Sequence, residues 1–172
     1  MDKSIEERVS LRPVEIPGDE EFLRELYLES RNDLAALPIS GDSVHQLLLL
    51  QYAAQTKGYI QQFPNASRDI IELDGRPAGR LIVDRQPTQF ECVDISLLPQ
   101  YRNSGIGTEV LKNLLDECAS AEKSCVLHVL RTNRAVRLYE RLGFRIIEEN
   151  GTHFRMKCDD RKIKGPEQQG AV

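Results

Sequence analysis

Residues 97–107, LLPQYRNSGIG, constrain the fold more than any other stretch of this 172-residue chain. Leu97 and Leu98 end an apolar run, Pro99 closes it, and Gly105, Ile106 and Gly107 stand where a helix begins. That helix is read from Ile106, Val110, Leu111, Leu114, Leu115 and Cys118, which recur at helical spacing from Gly105 to about Ala121 and predict one face packed on a sheet. A strand must therefore enter a glycine loop that leads directly into a helix N-terminus. Glycine there lets backbone N–H groups come close to an anion, and the helix end adds favourable partial charge. The block reads as a phosphate cradle.

Two commoner nucleotide loops do not fit it. A dinucleotide fingerprint needs a third glycine three residues after Gly107, where Val110 stands; a Walker A loop needs Lys and then Ser or Thr, where Thr108 and Glu109 stand. What is present is RxxGxG, filled by Arg102, Asn103, Ser104, Gly105, Ile106 and Gly107, and followed downstream by NRAVRLYERLGF, Asn133 to Phe144. With this second block the sequence resembles the GNAT superfamily of acetyl-CoA-dependent N-acetyltransferases, from about Asp74 to Lys157. It departs from the usual pattern at Asn103, where Gly is common, and at Leu98, where Val is common. Asn tolerates left-handed backbone better than most residues, so the cradle is expected to survive.

The resemblance implies an α/β (α+β) fold, a mixed and mostly antiparallel twisted sheet of about six or seven strands with helices on both faces. It implies acetyl-CoA as co-substrate, an amine as acceptor, and direct transfer in a ternary complex. Residues Arg102, Asn103, Ser104, Gly105, Ile106, Gly107 and Thr108 would hold the CoA pyrophosphate, and backbone groups of Leu97 and Leu98 would pair with the pantetheine arm like an added strand. Asn133 would bond the pantetheine or only cap its helix. Tyr139 would protonate the departing thiolate; spacing alone would place it with Ala135, Leu138 and Leu142 in a core stripe. A non-catalytic acyl-CoA sensor built on the same pocket is the alternative.

Transfer to an amine requires a neutral nucleophile. A lysine-like amine of pKa about 10.4 is neutral in only about one molecule in 2,500 at pH 7, a cost near 4.6 kcal/mol, which a general base lowers. Two acids precede the cradle, Glu91 and Asp94, and in a regular strand they point to opposite faces. Asp94 interrupts an otherwise buried strand, which is costly without partners and favours it slightly as the base; pairing with an arginine or backbone is the competing explanation. Glu91 lies at the distance before the glycines where the resemblance implies a base, and a bulge would bring either acid to a cleft. His128, alone in a strand, is expected as a hydrogen-bonded core residue rather than a proton shuttle. His45 and His153 have no partner at a metal-ligand spacing, so no metal is expected, and Ser96 and Ser104 lack the context of a covalent nucleophile.

The remaining elements follow from periodicity and punctuation. Val9 to Val14 predicts a strand; Asp19 caps a helix with a stripe of Phe22, Leu23, Leu26 and Tyr27. After Pro38 and Gly41, Asp42 or Ser43 caps a second helix whose Val44, Leu47, Leu48, Leu49, Leu50 and Tyr52 cover more than one face, a width that predicts burial on two sides. Ile70–Leu73 and Arg80–Val83 form a hairpin around Asp74 and Gly75, Phe90–Leu98 the next strand, Cys125–Leu130 another. Helix four is capped by Asn133 and ended by Gly143, and a last hairpin turns at Asn150 and Gly151.

Length suits one domain over residues 1–158, with 159–172 a charged, Gly- and Gln-rich tail. Four scattered cysteines, Cys92, Cys118, Cys125 and Cys158, fit neither a zinc site nor a disulfide framework and read as buried thiols. No apolar run approaches a membrane span, the first residues carry no secretory signal, and a net charge of −4 offers no nucleic-acid footprint. The expectation is a cytoplasmic monomer or homodimer without nucleic-acid or membrane partners. The acceptor is expected along residues 31–64, which carry no motif.

Overall fold

The computed structural model describes residues 4–31 and 41–159. They form two compact units, Met1–Arg85 with Cys92–Glu109, and Gln86–Glu91 with Val110–Val172.

In the first unit the strands β1 (Val9–Pro13), β2 (Ser67–Leu73), β3 (Arg76–Arg85) and most of β4 (Gln89–Leu97) lie side by side in that order. β1 and β2 run antiparallel with Leu11 opposite Ile71; β2 and β3 run antiparallel with Ile70 opposite Arg80. The β2–β3 turn is the expected two-residue loop: Asp74 and Gly75 take φ of 51° and 74°, the left-handed pair that matches the twist of a hairpin. β3 is buried from Ala78 to Val83, and Ile70, Ile71 and Val83 are wholly inaccessible. Fully burying such a side chain contributes about 1.5–3 kcal/mol, so these strands anchor the unit.

Among the described residues, three α-helices lie wholly in this unit. α1 (Ile5–Arg8), four residues with Glu7 reaching back to the Ser4 amide, precedes the first element expected from sequence. α2 (Glu20–Ser30) buries Leu23, Leu26 and Tyr27, while Phe22 is half-buried. Asp19 stands at its N-cap but does not cap with its side chain: the carboxylate instead takes both guanidinium nitrogens of Arg12 at 2.7 Å and the Glu15 amide at 2.8 Å. A bidentate ion pair outcompetes a single cap bond. α3 (Gly41–Gln62) is 22 residues long and begins at Gly41, so Asp42 and Ser43 fall within its first turn rather than ahead of it. Val44 and Leu48 pack with Tyr27, and Tyr52 meets Tyr27 with ring centroids 5.5 Å apart. Burial on two sides is not found: Leu47 and Leu50 are 41% and 69% exposed. Residues 32–40, which include Pro38, and the tail from 160 lie outside the described residues.

In the second unit the first residues of β4 are followed in order by β5 (Ser124–Leu130), β7 (His153–Cys158) and β6 (Arg145–Asn150). β5 and β6 each pair antiparallel with β7. The β6–β7 loop is Gly151–Thr152, one residue later than expected, with Asn150 paired to His153 and Gly151 at φ 62°. α4 (Ile106–Ser120), which starts in the first unit, buries the anticipated stripe from Ile106 to Cys118. α5 (Val136–Arg141) ends as expected at Gly143, φ 96°, where the amides of Gly143 and Phe144 close onto Glu140 and Tyr139 carbonyls. Its N-cap is Ala135; Asn133 lies two residues earlier and its Oδ1 accepts the Ala135 amide at 2.9 Å, an Asx turn rather than a cap. All four cysteines are buried, as expected.

The result is a mixed α/β fold of seven mostly antiparallel strands with helices, as the sequence predicts. Among the described residues, no helix is long and apolar enough to cross a membrane, and no cluster of His, Cys, Asp and Glu could hold a metal ion.

Candidate active site

The glycine loop leaves β4 through a 3-10 turn, Pro99–Tyr101. The Leu98 amide reaches across to the Ala78 carbonyl at 2.9 Å, which fixes the strand end against β3. Gly79 permits that approach: a Cβ there would lie 2.2 Å from the Ser96 carbonyl oxygen and 2.7 Å from Leu97 Cδ2. A glycine inside a strand signals such a contact in sequence, yet the motif reading passes over it.

The loop then turns through two left-handed residues, Asn103 at φ 58° and Gly105 at φ 89°. Asn103 thus holds the conformation that Asn tolerates, in place of the commoner glycine. Ser104 Oγ donates to the Tyr101 carbonyl at 2.6 Å and locks the turn. Arg102 is exposed, and its Nε donates to the Leu97 carbonyl at 2.9 Å, so one edge of the guanidinium braces the strand end. α4 begins at Ile106, and the amides of Ile106, Gly107 and Thr108 have no carbonyl one turn back within the helix. Gly107 is not demanded by packing: a Cβ would meet only Leu97 Cδ1 at 3.7 Å. The loop therefore leads a helix N-terminus whose first amides lack intrahelical acceptors, a fit for the oxygens of a phosphate.

On β4 in the same unit, Asp94 is held by Arg80: Oδ2 accepts from Nε at 2.9 Å, lies 2.8 Å from Nη2, and also accepts Ser96 Oγ at 3.1 Å. The Arg80 side chain is 10% exposed and that of Asp94 20%, so the pair is largely dehydrated. Arg80 extends to Gln55 Oε1 of α3 at 3.5 Å. Tyr59 lies close by, and its pKa is raised above 10.0 by burial first and by the Asp94 charge second. Val93 and Tyr59 pack against the cluster of Phe63, Ala66 and Ile82, while Asp94 pairs with Arg80 on β3.

In the second unit Glu91 lies 3.5 Å from His128 Nδ1. The Glu91 side chain is 15% exposed and that of His128 49%, so the histidine is not the core residue expected from its strand. β5 alternates at this point, burying Leu127 and Val129 and turning His128 outward. His128 pairs across the strands with Arg155, whose Nη1 lies 3.8 Å from Glu148, so Glu91, His128, Arg155 and Glu148 form one charged row. Tyr139 is buried at 7% exposure on α5 and meets Phe144 edge-on, with centroids 5.8 Å apart. Within single units, then, Leu97, Leu98 and residues 102–108 come together, as do Asp94 with Arg80 and Glu91 with His128. Sequence reasoning misses Arg80; an arginine within the apolar run of β3 was the available signal.

Residues 66–146 match the family model described as the acetyltransferase (GNAT) domain. Among solved structures the chain is similar to the PaiA N-acetyltransferase of Thermoplasma acidophilum in complex with coenzyme A: TM-score 0.68, 20% identity, 88% of this chain and 98% of that one. It is similar also to the ribosomal-protein-S18-alanine N-acetyltransferase of Escherichia coli, with TM-score 0.63, 18% identity and coverage of 88% and 94%. An acetyltransferase from Thermus thermophilus gives 0.64, 18%, 88% and 97%. At these identities the likeness is one of fold. No curated protein sequence matches the chain.

Proposed function

We propose that this chain, which carries a GNAT acetyltransferase domain over residues 66–146, transfers the acetyl group of acetyl-CoA to the nitrogen of an amine acceptor within a ternary complex. The matched stretch runs through both compact units, which supports a single catalytic domain. The carrying observation is the loop from Leu97 to Thr108: left-handed Asn103 and Gly105, orphan amides at the start of α4, and a Gly107 that packing does not require.

In this reading the amides of residues 103–108 bind the pyrophosphate, and Arg102 and the helix end add positive charge. The Leu97 and Leu98 backbone, braced by Arg102 and by Ala78, orients the pantetheine. The neutral amine attacks the thioester carbonyl carbon, the C–S bond breaks, and Tyr139 gives its proton to the sulfur. The proton lost by the amine passes to a carboxylate. Asp94 already neutralises Arg80, whereas Glu91 has a half-exposed histidine beside it, so the geometry favours Glu91 as acceptor with His128 as its partner. Asp94 then acts by positioning.

The test is thiol release from acetyl-CoA by purified protein against pooled small amines, amino acids and peptides. Release that depends on amine, and acetylated product by mass spectrometry, is expected. Acetyl-CoA binding by calorimetry without release across the panel would replace this reading by the sensor.

A further inference from the structure

The inner face of α3 changes character partway along. Val44 and Leu48 are buried near its start, and Tyr59 packs at its far end against buried Phe63. Between them stand Gln51 and Gln55, half-buried and one turn apart, so they share a face. Two carboxamides in an inward-facing stripe are costly unless they find partners. Gln55 has one: its Oε1 accepts from Arg80 Nη2 at 3.5 Å, the long edge of a hydrogen bond. Gln51 has none for its oxygen. Oε1 is buried without a hydrogen-bond partner, and among the described residues the other such side-chain atom is Thr56 Oγ1, also on α3.

Other acceptor atoms of this cluster are also unfilled. Arg80 Nε, Arg80 Nη2 and Ser96 Oγ all converge on Oδ2 of Asp94, and among the described residues nothing donates to Oδ1, although the side chain is 20% exposed. The Tyr59 hydroxyl, one turn beyond Gln55, feels the Asp94 charge and makes no hydrogen bond among the described residues. All of these groups belong to the first unit, where α3 meets β3 and β4. Arg80 already balances the Asp94 charge, so what the cluster lacks is N–H groups rather than a counter-ion. A buried unfilled oxygen destabilises a fold, and its presence here points to a donor that arrives with a ligand. Leu97, whose backbone orients the pantetheine in the proposed reaction, lies three residues after Asp94, about 10 Å along β4. That distance suits a part of the acceptor several bonds from its reacting nitrogen.

We propose, resting on acetyl transfer as the activity, that Gln51, Tyr59 and Asp94 form a specificity site for a second N–H donor of the acceptor, an amide N–H or a second ammonium. Acceptors that carry such a group fill the unpaired oxygens; simple monoamines leave them unpaired and are selected against. Arg80, Ser96 and Gln55 position the site by holding Oδ2 of Asp94 and the inner face of α3 together.

Thiol release from acetyl-CoA with two matched pairs of acceptors tests it: alanine N-methylamide against alanine methyl ester, which lacks the N–H, and cadaverine against hexylamine, which has a methyl in place of the second amine. Wild type should favour the donor-bearing member of at least one pair by about tenfold or more in kcat/KM, and the pair that responds tells an amide from an ammonium. Gln51→Met keeps the side-chain length and removes the oxygen. It should cut that ratio about fivefold or more and raise the Tm of the ligand-free protein by about 2 °C or more, because an unfilled buried acceptor is gone. Gln46→Met, on the exposed side of α3, is the control and should change neither. Ratios below about tenfold in both pairs of wild type overturn the proposal, as does a ratio that Gln51→Met leaves intact. So does a Gln51→Met protein no more stable than wild type, which would mean that the oxygen is already satisfied. If no amine releases thiol, acetyl transfer itself fails as the activity, and calorimetry of the same pairs on the CoA-saturated protein applies the same ratios to binding.

Discussion

Gly79→Ala should damage the strand end that the loop hangs from, and its size follows from the contacts. The new Cβ would sit 2.2 Å from the Ser96 carbonyl oxygen and 3.2 Å from Leu97 Cα, both backbone atoms, where ordinary contact begins at 3.4 Å. β3 and β4 would have to part by about 1.2 Å, stretching the 2.9 Å bond from the Leu98 amide to the Ala78 carbonyl beyond hydrogen-bonding range. Losing that bond costs about 1 kcal/mol and the overpacking about 1–3 kcal/mol, together roughly 2–4 kcal/mol. For a chain of this size that lowers Tm by roughly 5–15 °C. Misplacing the Leu97 and Leu98 backbone by an ångström should also raise the KM for acetyl-CoA about tenfold or more. Gly58 is the control: nothing lies within 4 Å of its added Cβ, so Gly58→Ala should stabilise α3 by about 0.5–1 kcal/mol. Differential scanning calorimetry and steady-state kinetics read both. A Gly79→Ala protein with wild-type Tm and KM refutes the close-approach argument; a lowered Tm with unchanged KM refutes only the role of the strand end in binding.

Tyr139→Phe should lower kcat about 10²-fold while acetyl-CoA affinity stays within about threefold; unchanged kcat on an identified acceptor removes it as proton donor. Arg80→Met leaves the Asp94 carboxylate, 20% exposed, without its counter-charge and should cost about 3 kcal/mol, whereas Arg80→Met/Asp94→Leu should recover most of that; equal losses would mean that the pair is not the origin. Asp19 is held down to about 2, from 3.8, chiefly by hydrogen bonds from Arg12. Its contribution is therefore present above pH 3.8 and is lost as pH falls through about 2; Asp19→Asn should cost at most about 2 kcal/mol at pH 7, because Arg12 is 32% exposed, and little near pH 2. Urea melts that show the same deficit at both pH values would contradict the assignment.

Elements specified by short-range chemistry were legible. Asp74–Gly75 demands a two-residue hairpin, Gly143 a helix end, and the Ile106 to Cys118 stripe a helix packed on one side, and all three are found. Less visible were outcomes decided by competition between partners distant in sequence. Asp19 reads locally as a cap, yet Arg12 offers two charged donors; Asn133 reads as a cap, yet the helix starts later and its Oδ1 turns to Ala135. His128 reads as core because its strand is apolar, but β5 buries one set of alternate residues more fully than the other, and the histidine falls on the outer set beside Glu91.

The choice between two carboxylates shows the same limit where it matters for chemistry. In sequence, an acid in an apolar strand marks a site because an unpaired buried charge is costly. That inference holds only while the counter-charge is unknown. Arg80, fourteen residues earlier, supplies it through Nε and Nη2, and with Ser96 it fills Oδ2 of Asp94. The feature that singled out Asp94 is therefore accounted for by its ion pair with Arg80, and for that reason we propose Glu91, 3.5 Å from His128 Nδ1, as the group that takes the proton.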